Sequence, residues 1–182
     1  NNSLTEQYFE DTKDLQKKLF SEIKSKIKLN DESLKFKDDR YFYWTKTIEE
    51  GNYTKYLRKK IGTSNEETYF DGDKEKKLSG SKYFGLGTIS VSHNDQLMAY
   101  SVDLKGSEYY DIFLRNLSTS KQVEDKIENT SGSITWSLDS KSFFYTPLDK
   151  YHRSKKIYKH VLETSSKNDE LIFEEKDDSF SV

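Results

Sequence analysis

The chain contains no cysteine among its 182 residues. This absence excludes disulfide frameworks, thiol nucleophiles and zinc–thiolate sites together. The sequence also has no run approaching the ~18 apolar residues that a membrane-spanning helix requires. The N-terminal residues Asn1-Asn2-Ser3-Leu4 do not have the layout of a signal peptide. We therefore expect a cytoplasmic protein that does not span a membrane.

An excess of either charge is missing as well. The 30 Lys and Arg residues nearly balance 32 Asp and Glu residues, which leaves a net charge of −2 with the two signs interspersed. Nucleic-acid-binding proteins need a basic surface, so we expect no nucleic-acid partner. Charged residues (34%) outnumber apolar ones (32%), a composition that approaches disorder, but an aromatic content of 14% indicates a folded and very polar domain.

An amphipathic helix is predicted at the start of the chain. Ser3-Leu4-Thr5-Glu6 has the spacing of a capping box. Apolar residues then recur at steps of three or four, or multiples of these: Leu4, Tyr8, Leu15, Leu19, Ile23 and Ile27. The helix is expected to run for about 26 residues, or roughly 39 Å, and to end at Asn30-Asp31. Mixed charge on its polar face favours a helix docked on its own protein over a membrane-surface or partner-binding helix.

From about Leu34 onward the apolar periodicity changes to two, which predicts strands, and three segments resemble one another. Each segment contains an aromatic run, at Asp39–Trp44, Asp95–Tyr100 and Ser140–Tyr145. Each run is followed by a Thr-Ser pair, at Thr63-Ser64, Thr119-Ser120 and Thr164-Ser165. Both markers are 56 residues apart between the first and second segments, and 45 apart between the second and third. A unit of about 45 residues with four short strands is typical of a β-propeller blade. The alternative is a β-sandwich whose hairpins are similar by accident.

The predicted fold is therefore mainly β: an N-terminal amphipathic helix followed by about three four-stranded blades of an incomplete β-propeller. We divide the chain into a lead-in helix at 1–31 and a partial propeller at 32–182. The blades are expected at about 33–72, 84–125 and 130–175, with the start of a fourth at 179–182. The additional 11 residues of the first unit are assigned to a solvated loop around Asp71–Lys82.

Three blades cannot close a ring, because propellers typically have about four to eight. An open array exposes a sheet edge at each end, where further strands can pair. We therefore expect either a fragment or a chain that assembles with a partner supplying the remaining blades.

A search for catalytic chemistry finds none in the sequence. No two of the eight glycines frame a serine as Gly-x-Ser-x-Gly. Gly85-Leu86-Gly87 lacks the third glycine of a phosphate-binding loop. The three histidines are expected at surface or turn positions rather than as bases or metal ligands: His93, His152 and His160. We assign no catalytic, cofactor-binding or metal-binding residue and expect no cofactor.

Long motifs resemble a known family. Ser81–Ser92 resembles the start of a propeller blade in oligopeptidase B, also called protease II. Asp169–Val182 resembles that family's Leu-aromatic-Glu-Glu-Lys-Asp junction between blades, and Asn2–Ile27 resembles its lead-in helix. His93 departs from the pattern, since relatives commonly have proline in this turn. The chain is thus similar, almost throughout, to the N-terminal part of these enzymes, which belong to the prolyl oligopeptidase group of serine peptidases.

The resemblance implies an α/β-hydrolase domain capped by a propeller of about seven blades. The lead-in helix would pack on that hydrolase domain, which belongs to the same or a companion polypeptide. The propeller would admit only short peptides, which are cut after Lys or Arg. The Ser-Asp-His triad of the family follows the propeller, so this chain is expected to be inactive alone.

Two other functions stay open. A stand-alone, non-catalytic interaction module from a split or decayed gene would pair through its exposed sheet edges, including edge to edge with copies of itself. A nucleic-acid-binding β-protein is supported by the stacking aromatics, but it is opposed by the absence of a basic excess.

Overall fold

A computed structural model describes residues 2–182 of the chain. Its N-terminal segment consists of helix α1 (Asn2–Tyr8), a 3-10 turn (Glu10–Thr12) and helix α2 (Lys13–Ser25). The prediction of one helix of about 26 residues is therefore wrong. The Thr12 hydroxyl donates a hydrogen bond to the carbonyl oxygen of Phe9 at 2.8 Å, and such local bonds compete with the helical backbone. The capping box is not formed either, because α1 begins at Asn2 and Ser3 lies within its first turn.

The predicted apolar stripe does lie on this segment, and it is exposed along its whole length. Eight large apolar side chains are between 46% and 80% exposed: Leu4, Tyr8, Phe9, Leu15, Leu19, Phe20, Ile23 and Ile27. The amphipathic character is confirmed, while the helical segment is shorter and interrupted.

Thirteen strands follow, in three antiparallel sheets. The first sheet contains β1 (Asp31–Glu32), β2 (Phe36–Asp38), β3 (Tyr41–Thr47), β4 (Lys55–Lys60) and β5 (Glu66–Asp71). Its order is β1-β3-β4-β5, and β2 also pairs with β3. The second sheet contains β6 (Gly85–Val91), β7 (Leu97–Asp103), β8 (Tyr110–Asn116) and β9 (Gln122–Thr130) in sequence order. The third contains β10 (Thr135–Trp136), β11 (Ser142–Tyr145), β12 (Lys156–Val161) and β13 (Glu170–Glu174), also in sequence order.

The strand register confirms the repeat that the marker spacing predicts. The antiparallel pairs β3–β4, β7–β8 and β11–β12 are equivalent in the three sheets. They contain the cross-strand pairs Trp44↔Leu57, Tyr100↔Phe113 and Tyr145↔Tyr158, respectively. Their members are separated by 56 and 45 residues, as the aromatic markers are. Each Thr-Ser pair lies in the turn that follows β4, β8 or β12. The three sheets are therefore three copies of one blade-like unit.

The charged segment around Asp71–Lys82 is not a solvated loop, which corrects that prediction. It forms helix α3 (Gly72–Ser79). The Asp71 carboxylate accepts a hydrogen bond from the backbone N–H of Lys74 at 3.2 Å and caps the N-terminus. Gly80, at φ 62°, ends the helix in the left-handed conformation that favours glycine. An ordered helix therefore connects the first and second sheets.

The chain divides into two compact units between Thr68 and Tyr69. In the second unit, one apolar core lies between the second and third sheets, and its fully buried members include Ala99, Ile112, Leu114 and Phe143. The Trp136 indole N–H donates to the carbonyl oxygen of Ser90 at 3.1 Å and joins the two sheets. The division at residue 31 and the blade limits stay predictions. Residues 179–182 form no strand, although the Val182 N–H donates to the carbonyl oxygen of Ser154 at 2.8 Å.

Candidate functional site

The three histidines occupy different environments. His93 lies in an exposed turn, and His152 lies in an exposed bend between β11 and β12, as predicted for both. The prediction is wrong for His160, which lies on β12 and is only 1% exposed. The His160 ring therefore lies in the interior of the described fold.

His160 is the centre of a buried polar cluster in the third sheet. Its Nδ1 lies 2.8 Å from Oδ1 of Asp169, and its Nε2 lies 3.5 Å from Oδ2 of Asp125. The Tyr145 hydroxyl donates to Oδ2 of Asp169 at 2.8 Å. Burial, together with the neighbouring Asp169 carboxylate, raises the pKa of Tyr145 well above its ordinary value. The tyrosine therefore stays protonated and serves as a hydrogen-bond donor.

A related cluster fastens α3 to the second sheet. The Arg115 guanidinium donates to both carboxylate oxygens of Glu75, at 2.9 and 2.8 Å, and to the Tyr100 hydroxyl at 3.3 Å. The Arg115 and Glu75 side chains are only 14% and 11% exposed. Burial opposes the charge of Arg115, but the hydrogen bonds and charge interactions with Glu75 and Tyr100 together outweigh it, and the pKa of Arg115 is raised. A cavity of about 230 Å³ lies beside this ion pair, lined by residues that include Leu78, Phe84 and Phe113.

The first sheet has a comparable arrangement. Its arginine, Arg58, lies 57 residues before Arg115, one more than the 56-residue spacing of the aromatic markers. Arg58 is 4% exposed, pairs with Glu67 and lies over the Tyr41 ring at 4.4 Å. Burial opposes the charge of Arg58, but Glu67 and a hydrogen bond with Tyr43 raise its pKa. Each sheet thus carries a tyrosine and a basic side chain that form a cluster with a carboxylate: Glu67 on β5, Glu75 on α3 or Asp169 beside β13.

The loop between β7 and β8 is organised by a buried carboxylate. Asp103 is 2% exposed and accepts hydrogen bonds from the backbone N–H groups of Lys105, Gly106 and Glu108, at 2.8, 3.0 and 2.7 Å. Burial alone would raise the pKa of Asp103, but these N–H groups outweigh it and lower the pKa. Glu108 is held at φ 61°, a left-handed conformation that is uncommon for a residue other than glycine.

This loop is joined to the neighbouring loop between β11 and β12. The Tyr109 hydroxyl donates to the carbonyl oxygen of Asp149 at 2.7 Å, and the Tyr109 ring lies 4.1 Å from the His152 ring. The N–H groups of Arg153 and Tyr151 bond to the Asp149 carboxylate and lower its pKa. The two loops therefore form one continuous, ordered surface at this end of the second and third sheets.

A groove of about 590 Å³ opens beside the second of these loops. Its walls carry as many basic as acidic side chains, with Pro147 and Leu148 as the apolar part: Asp149, Arg153, Lys155, Lys156, Glu174, Glu175, Lys176 and Asp178. Several charges are already paired, as Lys155 is with Asp178 at 3.1 Å and Lys156 is with Glu174 at 3.2 Å. The lining contains no serine, threonine or histidine, so it offers no nucleophile or base of that kind.

Two classes of site are not found in the part of the chain that the structure describes. Among residues 2–182, no three His, Asp or Glu side chains are placed to hold a metal ion. No helix in the same range is both long enough and apolar enough to cross a membrane. The described residues define an array of blade-like sheets with ordered loops between the strands.

The sequence matches the family model of the prolyl oligopeptidase N-terminal beta-propeller domain over residues 1–182. The chain therefore belongs to the prolyl oligopeptidase family, as the N-terminal propeller part of such an enzyme. This finding confirms both the resemblance and the propeller fold that the repeat predicted.

Individual relatives agree with this assignment. Dipeptidyl aminopeptidase BI of Pseudoxanthomonas mexicana is 29% identical, over 98% of this chain and 27% of its own length. Protease 2 of Moraxella lacunata is 26% identical, over 79% of this chain and 22% of its own length. The structure of oligopeptidase B from Leishmania major superimposes with a TM-score of 0.85 at 26% identity, covering 97% of this chain and 25% of that one. Oligopeptidase B from Trypanosoma brucei, in a closed form with covalently bound antipain, gives 0.84 at 29% identity with the same coverage. The chain thus spans about a quarter of the length of these relatives.

Proposed function

We propose that this chain is the N-terminal propeller segment of an oligopeptidase B-like serine peptidase that cleaves short peptides after Lys or Arg. The observation that carries the proposal is the similarity to two oligopeptidase B structures, with TM-scores of 0.85 and 0.84 at 26% and 29% identity. Prolyl oligopeptidase B from Galerina marginata shares the fold at a lower TM-score of 0.78 and 19% identity. The peptidase would act in the cytoplasm.

In this proposal the chain controls access and the chemistry takes place elsewhere. The hydrolase domain, on the same or a companion polypeptide, would perform acyl transfer through a serine activated by histidine, with an oxyanion hole. The propeller blades would limit the size of the peptides that reach it. The hydrogen-bonded loops around Asp103 and Asp149 and the charged groove beside the second loop support this role, because they present ordered polar surfaces.

The N-terminal helical segment supplies the contact with the hydrolase domain in this proposal. Its eight exposed apolar side chains lie between Leu4 and Ile27 and include the six of the predicted stripe. Burial of apolar surface contributes roughly 25 cal/mol per Å², so a stripe of this length stabilises a docked domain substantially. Residues 1–31 would therefore act as the lead-in helix, and 32–182 as the propeller part.

The test uses an antibody against this chain to precipitate the native protein from source cells. Fluorogenic peptides that end in Arg or Lys should be cleaved by the precipitate, and a serine-directed inhibitor should abolish cleavage. The purified 182-residue chain is the matched control and should give no turnover. Cleavage after proline in place of Arg or Lys would contradict the proposed specificity. Inhibitor-sensitive turnover by the purified chain would contradict the assignment of the chemistry to another domain.

A stand-alone interaction module is the second candidate, and the edge of the third sheet favours it. All five residues of β13 are exposed, and Leu171, Ile172 and Phe173 are 44–46% exposed. An apolar, unprotected edge strand promotes pairing with another chain. An evolved module should be a discrete monomer or dimer in solution, whereas a segment removed from its enzyme should self-associate or precipitate. Sedimentation velocity distinguishes these outcomes.

A further inference from the structure

The cavity of about 230 Å³ beside the Arg115–Glu75 ion pair is formed by an element that the repeat does not require. Its walls come from α3, from β7, β8 and β9 of the second sheet, and from the segments next to them. Helix α3 is made by the additional residues of the first unit. Residues 131–134, which connect the second and third sheets, form no helix. The insertion therefore adds a cavity to an otherwise regular sheet.

Helix α3 is held in its middle and just after its end, so the cavity exists without a ligand. The Glu75 carboxylate accepts two hydrogen bonds from Arg115, at 2.9 and 2.8 Å. After the helix, the Ser81 hydroxyl donates to the carbonyl oxygen of Leu104 at 2.6 Å. Binding sites for small molecules are usually cavities that are already formed in this way.

Most of the cavity wall is apolar, and it is large enough for one aromatic ring. The apolar lining residues are Leu78, Phe84, Val102, Leu104 and Phe113. Phe84 and Val102 are buried, at 6% and 5% exposed, whereas Leu78 is 69% exposed and therefore lies at the opening. An apolar cavity of about 150 Å³ is sufficient to bind benzene. The present cavity therefore has room for a ring with a small polar substituent.

The polar end of the cavity favours a neutral substituent that both accepts and donates hydrogen bonds. A guanidinium has five N–H groups, and the contacts of Arg115 with Glu75 and Tyr100 use three of them. The Glu75 carboxylate already compensates the charge of Arg115, so a second anion beside it would be repelled. Gln122 lies opposite Arg115 in the pairing of β8 with β9 and also lines the cavity, and its amide both donates and accepts.

We propose that this cavity binds a neutral aromatic carboxamide with a single ring. The ring lies among Phe84, Val102 and Phe113. The carboxamide oxygen accepts a hydrogen bond from Arg115, and the carboxamide N–H donates to the side chain of Gln122. This binding site is separate from the proposed peptidase function, because it uses no part of the hydrolase domain.

Titration of the ¹⁵N-labelled full chain with benzamide, followed by nuclear magnetic resonance, tests the proposal. The backbone amide signals of Val102, Phe113 and Gln122 should shift saturably, with a Kd of about 1 mM or below. Benzoate and toluene keep the ring but replace the carboxamide, and they should bind at least about tenfold more weakly. If these signals showed no saturable shift up to about 10 mM benzamide, the cavity would hold water only and the proposal would be overturned. Equal affinity for toluene would overturn the assignment to a carboxamide.

Two variants at exposed positions, which should both fold, distinguish binding in the cavity from binding elsewhere. Leu78→Trp enlarges the side chain at the opening and should weaken benzamide binding at least about tenfold. Its control, Leu138→Trp, changes a leucine that is 89% exposed in the turn between β10 and β11, and it should leave the affinity unchanged. Gln122→Ala removes one hydrogen bond and should weaken binding about fivefold, whereas Gln96→Ala, in the exposed turn between β6 and β7, should not. Wild-type affinity in either Leu78→Trp or Gln122→Ala would overturn the proposal.

Discussion

Neutralising Glu75 without changing its shape tests what holds α3 on the second sheet. In Glu75→Gln the Arg115 guanidinium keeps its charge but loses its carboxylate partner, in a site where the two side chains are only 14% and 11% exposed. Removing one partner of a buried ion pair costs about 3–5 kcal/mol, because the other charge is left without compensation. The pair retains some contact with solvent, so we expect the lower end, a loss of about 3 kcal/mol in the free energy of unfolding.

Urea unfolding followed by tryptophan fluorescence measures this loss. A Trp44→Phe background leaves Trp136, in the second unit, as the only reporter. The control is Glu10→Gln, which removes an ion pair with Lys13 in which both side chains are 59% exposed, and it should change the free energy by less than about 0.5 kcal/mol. If Glu75→Gln also stayed within about 0.5 kcal/mol of the wild type, the reasoning that the ion pair holds α3 would be refuted.

Three further predictions concern single positions. Gly132→Ala should cost more than about 1 kcal/mol in urea unfolding, because Gly132 has φ 87° and an added Cβ would lie 3.0 Å from Oγ of Ser101; Gly62→Ala, at φ 81° in open space, shows how much of this loss is backbone strain alone. The lowered pKa of Asp103 means that its carboxylate stabilises the fold above the unfolded pKa of about 3.9 and stops doing so as the pH falls through the folded pKa. Asp103→Asn should therefore make the acid unfolding curve, followed by circular dichroism, shallower below about pH 4; an unchanged curve contradicts the role of this carboxylate. Phe20→Glu should leave the unfolding free energy of the purified chain within about 0.5 kcal/mol of the wild type, because Phe20 is 68% exposed; a larger loss would show that the stripe packs within the chain.

The strand repeat can be predicted from the sequence because it is encoded redundantly. The aromatic residues on β3, β7 and β11 and the Thr-Ser pairs after β4, β8 and β12 are two independent markers. Both recur with the same spacing along the chain. A two-residue periodicity fixes which face each side chain occupies, so Tyr100 and the 45-residue spacing together predict the position of Tyr145. The equivalent register of the strand pairs β3–β4, β7–β8 and β11–β12 follows from this spacing.

The helices are harder to predict, for opposite reasons. The N-terminal stripe satisfies helical spacing, but the helix is interrupted at Phe9–Thr12, where the backbone N–H and the hydroxyl of Thr12 both bond back to the Phe9 carbonyl. The segment that forms α3 has almost no apolar periodicity, and its dense charge is typical of a loop. Its helical signals are the cap residues alone, Asp71 at the N-terminus and Gly80 at the C-terminus.

The buried clusters cannot be predicted from local sequence. His160 and Asp169 are nine residues apart, and the pair forms only because the turn between β12 and β13 brings them together. Asp125 comes from another sheet altogether. The usable signal is the repeat itself, because His160 takes the position of Arg115, and a basic residue at the same position of two blades indicates a shared contact.

The mass of the native protein is the most direct test of the central claim that this chain is the N-terminal part of a larger peptidase. Immunoblotting of source cells with an antibody against the chain should reveal a band about four to five times larger than 21.5 kDa, since the chain covers 22–27% of the length of the four relatives compared above. A band near 21.5 kDa, with no larger species, would contradict the claim and leave the stand-alone interaction module as the account to pursue.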